Sequence, residues 1–325
     1  MSSRAGDVTS GGRVLAGLAV SGVVLLGAAC RVAHAEPDGL PAAEKLSVPV
    51  PPAIDLPEPN LGPHFARAAE IFRRTPHPPC PRGMAHVGRF CVDRYEAHLM
   101  VRGEDGELER HPHNERPPDG GHFEARSAAG VMPQAYISRV EAEQACDNAG
   151  KRLCRIGEWR RACSSGKGKR YPYGYGGRRG VCNTSKKHLL HALFGERPWT
   201  YEQFNDPKLN LEPGYLAESG AYEGCVTEDG VHDMNGNLHE WVSSTVTEDF
   251  VERMEEEAFE HDFERVEQPW VVGNGMFLGG FYSTANQHGP GCLYTTIAHE
   301  PTYHDYSTGF RCCADEHRDE RSADK

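Results

Sequence analysis

Residues Gly230–Val242 read GVHDMNGNLHEWV, and no other stretch constrains the chain as strongly. An Asn-Gly-Asn core separates an apolar start (Val231, Met234) from the pair Glu240-Trp241. Glycine reaches backbone conformations closed to other residues, and Asn tolerates the same region, so the core predicts a tight turn. Oxygen donors at and just after such a turn suit a hard cation, and Trp241 supplies a large anchoring indole. A turn in which Asn235 and Asn237 only shape the backbone, with Glu240 capping nearby amides, accounts for the same letters without a metal.

Outward from this motif, the flanking sequence predicts short elements and long loops. Met84–Cys91 leads into Val92-Asp93-Arg94-Tyr95-Glu96 as a strand-like opening, and His111–Gly121 reads as loop. Ser138 and Glu141 form a capping box that starts a helix running through Ala149 and stopping at Gly150. Glu158–Cys163 predicts a second short helix, Gly166–Gly180 a Gly- and Tyr-rich loop, and Val271–Ser283 a buried strand with close backbone approach. The reading is α+β with little regular secondary structure.

Such a domain needs covalent support. The 325-residue chain holds 11 cysteines and no Cys-x-x-Cys, which favours disulfides in an oxidising compartment over a zinc ribbon or a thioredoxin-type site. The N-terminus agrees: Arg4 and Arg13 precede the apolar run Val14–Ala29, which reads as a secretory signal. Ala33-His34-Ala35 fits cleavage before Glu36, giving a signal peptide over 1–35; Leu26–Cys30 alternatively resembles a lipoprotein site, with a lipid anchor on Cys30. Residues 36–79 hold eleven prolines and predict a semi-rigid tether, with His64–Arg74 able to form a short helix inside it. The globular domain spans 80–316, and 317–325 is a charged tail.

The formal net charge of −12 argues against a nucleic-acid partner. Glu248–Glu267 alone carries ten acids against Arg253 and Arg265, as a solvated face would.

Four segments in order resemble the formylglycine-generating enzyme (sulfatase-modifying factor) family, whose fold is a variant of the C-type lectin fold. They are AGKRLCRIGEWRRAC (Ala149–Cys163), RYPYGYG (Arg170–Gly176) followed by Cys182-Asn183, the GVHDMNGNLHEWV motif, and GGFYST (Gly279–Thr284) paired with TGFRCCAD (Thr308–Asp315). The resemblance implies the disulfides Cys146–Cys312 and Cys163–Cys292. The six remaining cysteines of the domain allow fifteen connectivities; Cys80–Cys91, Cys154–Cys313 and Cys182–Cys225 are the pairs that position suggests. The resemblance also implies calcium at Asn235, Gly236, Leu238 and Glu240, and a second calcium involving Asn183 and Thr184. It implies a pocket opened by the Gly279-Gly280 strand, floored by Trp241 and involving Phe281, Thr284 and His288.

The family's oxidases hold copper on two cysteine thiolates, soft ligands suited to Cu(I). Those positions fall on Thr284 and near Gly289 here. Neither residue supplies a thiolate, so copper and the formylglycine reaction are not expected. The leading expectation is therefore a non-catalytic, exported module of the cell envelope that binds a small ligand or a protein segment. An oxidoreductase of altered chemistry, using His288, His299 or His304 with iron or copper, is the alternative. A structural domain of an envelope complex, with Glu248–Glu267 as its contact, is a third. The pair His188 and His191 could share a helical face, but most of the 17 histidines read as surface or hydrogen-bonded residues.

Overall fold

The computed structural model describes residues 79–252, 271–284 and 289–317. The signal, the tether, most of the acidic run and His288 lie outside the described residues.

The opening segment forms a hairpin, β1 (Met84–Val87) with β2 (Phe90–Asp93), turning at Gly88. Strand β3 (Ala97–Arg102) follows and pairs with β4 (Leu108–Arg110) and β5 (Phe123–Ser127) in a three-stranded sheet. Helix α1 (Arg139–Asn148) starts where its capping box requires: Ser138 Oγ accepts from the Glu141 amide, and the Ser138 amide donates to Glu141 Oε2 at 2.8 Å. Its Ala142, Ala145 and Cys146 face the core, and Gly150, at φ +68°, follows its end.

After β6 (Arg152–Leu153), helix α2 (Ile156–Ser164) begins two residues earlier than the sequence suggests. Glu158 is not its first residue but its internal cap, accepting from the Arg155 amide at 2.9 Å. Trp159, Ala162 and Cys163, at i, i+3 and i+4 spacing, form its buried stripe. The short helices α3 (Leu189–Phe194) and α4 (Tyr201–Phe204) follow.

The motif itself enters β7 (His239–Thr245), which pairs with β8 (Gly275–Leu278) and, in parallel, with β10 (Thr308–Phe310); β9 (Thr295–His299) closes the sheet on the far side of β8. The strand expected over Val271–Ser283 is therefore shorter: Val271 and Val272 are exposed, and Gly279 and Gly280 leave the extended region at φ +81° and +75°. Strand β11 (Cys312–Asp315) completes the remaining sheet, in the order β1-β2-β11-β6.

Five disulfides tie these sheets and helices: Cys80–Cys91, Cys146–Cys312, Cys154–Cys313, Cys163–Cys292 and Cys182–Cys225. All five match the expected pairs. Cys312 and Cys313 are adjacent on β11, so their side chains leave opposite faces of the strand. One reaches α1 and the other the β6–α2 turn. Bridges of this number belong to an oxidising compartment. No described helix is long and apolar enough to cross a membrane.

Candidate functional site

The Asn-Gly-Asn turn forms as read, with Asp233, Gly236 and Asn237 all at positive φ (59°, 87° and 63°). Glycine is required at 236: a Cβ there would lie 2.2 Å from the Asn183 carbonyl oxygen. That close approach lays the turn directly on the Cys182–Ser185 loop. The Asn237 amide donates to Asn183 O (2.9 Å), Asn183 Nδ2 donates to Asn237 Oδ1 (2.8 Å), and the Gly236 amide donates to Gly279 O (3.0 Å). The two segments assigned to separate calcium sites thus meet at one place, beside the Gly-Gly strand.

Beneath the turn lies a buried charge network. Glu240 is fully enclosed, and both its oxygens are engaged. Arg311 Nε donates to Oε2 (2.7 Å), Arg311 Nη2 to Oε1 (2.6 Å), and Trp159 Nε1 to Oε2 (2.6 Å). Arg311 also donates to the carbonyls of Asp93 and His232. Three of the sequence motifs therefore converge on one carboxylate. Glu96 sits nearby, accepting from Asn237 Nδ2 (2.5 Å) and the Leu238 amide (3.1 Å), and Asp233 accepts from the Gly220 amide (2.6 Å). Burial first, then the charges of Asp233 and Glu240, hold the Glu96 carboxyl well above the usual carboxylate range. Burial likewise pushes Asp233 up to about 6.

These facts bear unequally on the two cation readings. Glu240 spends its charge on Arg311, so the acid assigned to the first site is an internal counter-ion here. Asn235, Gly236 and Leu238 offer only backbone or amide oxygens beside it. At the second site Asn183 is buried, and its Oδ1 has no hydrogen-bond partner. A buried acceptor without a donor is costly unless something else satisfies it, and a hard cation would. The residues around Asn183 and Thr184 fit calcium; Glu240 does not.

The candidate pocket lies above the turn. A cavity of about 360 Å³ is lined by Thr184, Ser185, Asn235, Thr284, Gly289 and Gly291 together with Tyr171, Tyr173, Gly177, Arg178, Arg179 and Tyr294. Of the residues expected here, Thr284 lines it. Trp241 does not: its indole is in the core and donates to Ile137 O at 2.9 Å. Phe281 packs behind the cavity, its ring 4.9 Å from that of His239, which in turn stacks on Tyr294. Burial raises the Tyr294 phenol, against hydrogen bonds to Thr296 and Thr284.

The cavity wall holds no cysteine, and the ten described cysteines are all in disulfides. The donor set does not fit a thiolate-held copper. Of the histidines of the alternative reading, the two described ones, His299 and His304, do not line the cavity. His299 stacks on Tyr303 at 3.8 Å and His304 bonds Asn205 Oδ1 at 2.7 Å, with burial lowering both imidazoles. His188 precedes α3 and stacks on Trp199, whereas His191 lies toward Glu196.

Sequence reading missed Trp159 and Arg311 as the partners of Glu240, and Arg178 and Arg179 in the cavity wall. Arg311 carried a signal, since a lone cation between Phe310 and Cys312 in an apolar strand implies a buried counter-ion.

A disulfide-clamped α+β domain, with a small polar cavity over a glycine-turned loop, is the class that fold and site define. The profile of the sulfatase-modifying factor enzyme 1-like domain matches residues 88–316, and the chain belongs to that family. Its fold is the family's C-type-lectin-like one, with few helices and five disulfides. No curated protein matches the chain. Among solved structures, PvdO from Pseudomonas aeruginosa is similar at 12% identity and a TM-score of 0.37, covering 74% of this chain and 100% of that one. Treponema denticola variable protein 1 follows at 9% identity and 0.39, covering 73% and 100%. The U1 variant of the Major Tropism Determinant, at 15% identity and 0.36, covers 73% of this chain and 53% of its own, so the present chain spans about half its length.

Proposed function

We propose that this protein is an exported, non-catalytic member of the family whose cavity binds a small ligand or a protein segment at the cell envelope. One observation carries the reading: Thr284 and Gly289 line the cavity and no thiol does. Hydroxyls, amides and guanidinium groups at a preformed pocket are recognition chemistry. The apolar run Val14–Ala29 and the proline-rich tether support export, with a signal peptide ending at Ala35 or a lipid anchor at Cys30.

Calcium in this reading is structural. Asn183 would hold it, with Thr184 and the adjacent turn, and the ion would pin two loops that otherwise meet through a few hydrogen bonds.

Metal analysis of the purified protein tests both statements. Calcium alone, with stability that rises on its addition and loses that dependence in Asn183→Ala but not in Glu240→Gln, supports them. Stoichiometric copper or iron surviving dialysis overturns the non-catalytic reading. The mature N-terminus, at Glu36 or at a lipid-modified Cys30, tests the two cleavage readings; an intact Met1 on the mature protein contradicts both and leaves export only through an uncleaved anchor.

A further inference from the structure

The cavity wall is chemically one-sided. It presents two adjacent guanidinium groups, Arg178 and Arg179, and no aspartate or glutamate. Neither arginine forms an ion pair among the described residues. In a chain with 47 acids against 35 lysines and arginines, two cations with no counter-ion among the described residues, in one concave site, are not the product of general composition.

The arginines are also held in place. The Arg178 amide donates to the Tyr173 hydroxyl (3.0 Å), and the guanidinium lies over the Tyr173 ring, 4.8 Å from its centroid. Stacking occupies the face of a guanidinium and leaves its in-plane N–H donors available. Tyr171 packs parallel to Tyr173, and a Cβ at Gly177 would lie 2.8 Å from the Tyr171 hydroxyl, so the loop closes tightly. Its base is fixed by the Cys292 amide donating to Arg170 O at 2.8 Å. A site whose donors are positioned beforehand loses less entropy on binding.

We infer that this cavity binds a small ligand through an oxyanion, a carboxylate, sulfate or phosphate group, gripped by Arg178 and Arg179. Thr184, Ser185 and Thr284 line the same space, and Tyr171 and Tyr294 contact the ligand's body. This rests on the binding-module reading above and names the chemistry of what is bound. Paired guanidinium donors match the two oxygens of such a group better than a single ammonium does.

Calorimetric titration of the full-length protein at fixed ionic strength tests it, using sodium sulfate, sodium phosphate, glucuronate, neutral glucose, and chloride as the control. The expected result is that at least one of sulfate, phosphate and glucuronate binds. The affinity of that ligand should fall at least tenfold in the double variant R178A/R179A and weaken as salt rises. Both side chains are exposed, so the variant should keep the wild-type melting temperature, which the same sample checks. Preference for sulfate or phosphate over glucuronate identifies the group. Equal binding by wild type and R178A/R179A, or no anion binding above chloride, overturns the inference. If glucose binds and Thr284→Val abolishes it while no anion binds, the oxyanion inference fails and the binding module stands. Stoichiometric copper or iron would instead sink the module reading while leaving the anion result to be judged on its own.

Discussion

Replacing Glu240 with Gln should destabilise the domain by about 3 kcal/mol, through loss of a charge and not of a calcium ligand. The carboxylate accepts three hydrogen bonds, two on Oε2 and one on Oε1. A glutamine whose carbonyl occupies the Oε2 position keeps Trp159 Nε1 and Arg311 Nε. Its amide then faces Arg311 Nη2 with a donor. Removing one partner of a buried ion pair typically costs about 3–5 kcal/mol. The low end applies because Arg311 has other acids at hand: the charge of Glu240 helps to raise the carboxyls of Glu96 and Asp233, and they ionise more readily once it is gone. For a domain of this size the loss corresponds to a fall in melting temperature of roughly 6–12 °C. Denaturation under non-reducing conditions, in calcium and again in EDTA, is the assay. The fall should be the same in both. A loss below about 1 kcal/mol, or one that vanishes in EDTA, refutes the assignment of Glu240 as the counter-ion of Arg311.

Asp233 has a folded pKa near 6 against an ordinary 3.8, so its contribution to stability is full below about pH 4 and is lost as pH rises through 6. Asp233→Asn should therefore flatten the stability profile across that window and gain up to about 3 kcal/mol over wild type at pH 8; parallel profiles would contradict this. Gly236→Ala should cost more than about 3 kcal/mol, combining a left-handed φ with a Cβ driven into the Asn183 carbonyl, and near-neutral urea midpoints would show the loops are not so closely packed. Removing either Cys146–Cys312 or Cys154–Cys313 should cost about 3 kcal/mol, because with the other bridge in place the one removed closes only a ring of about ten residues. Removing both should abolish folding, and failure of either single-bridge variant to fold would argue against the shared clamp.

Much of the fold was legible because its signals are local or covalent. Ser138 and Glu141 set the start of α1 by themselves, Gly236 could only sit in a turn, and two cysteine pairs, Cys146–Cys312 and Cys163–Cys292, followed from the resemblance while the other three rested on position alone. The site was harder to read. The letters of the motif are the same whether Glu240 faces a cation in solution or a guanidinium from a strand seventy-one residues away. Only the parallel pairing of β10 with β7 brings them together. Trp241 went the same way: a tryptophan beside an acid suggests a pocket floor, but alternation along β7 sends its side chain to the core. Arg178 and Arg179 sit in a loop with no periodicity, so nothing in their spacing marked them as lining a cavity.

Pro79 and His317, far apart in the chain, meet at one place. The amide of His317 donates to the carbonyl of Pro79 at 2.9 Å, and β1, β2 and β11, which carry the first and last residues, lie side by side in one sheet. Cys80–Cys91 and the two bridges of β11 stand directly behind that point. Separating Pro79 from His317 therefore breaks one hydrogen bond at the rim while three bridges hold the strands behind it.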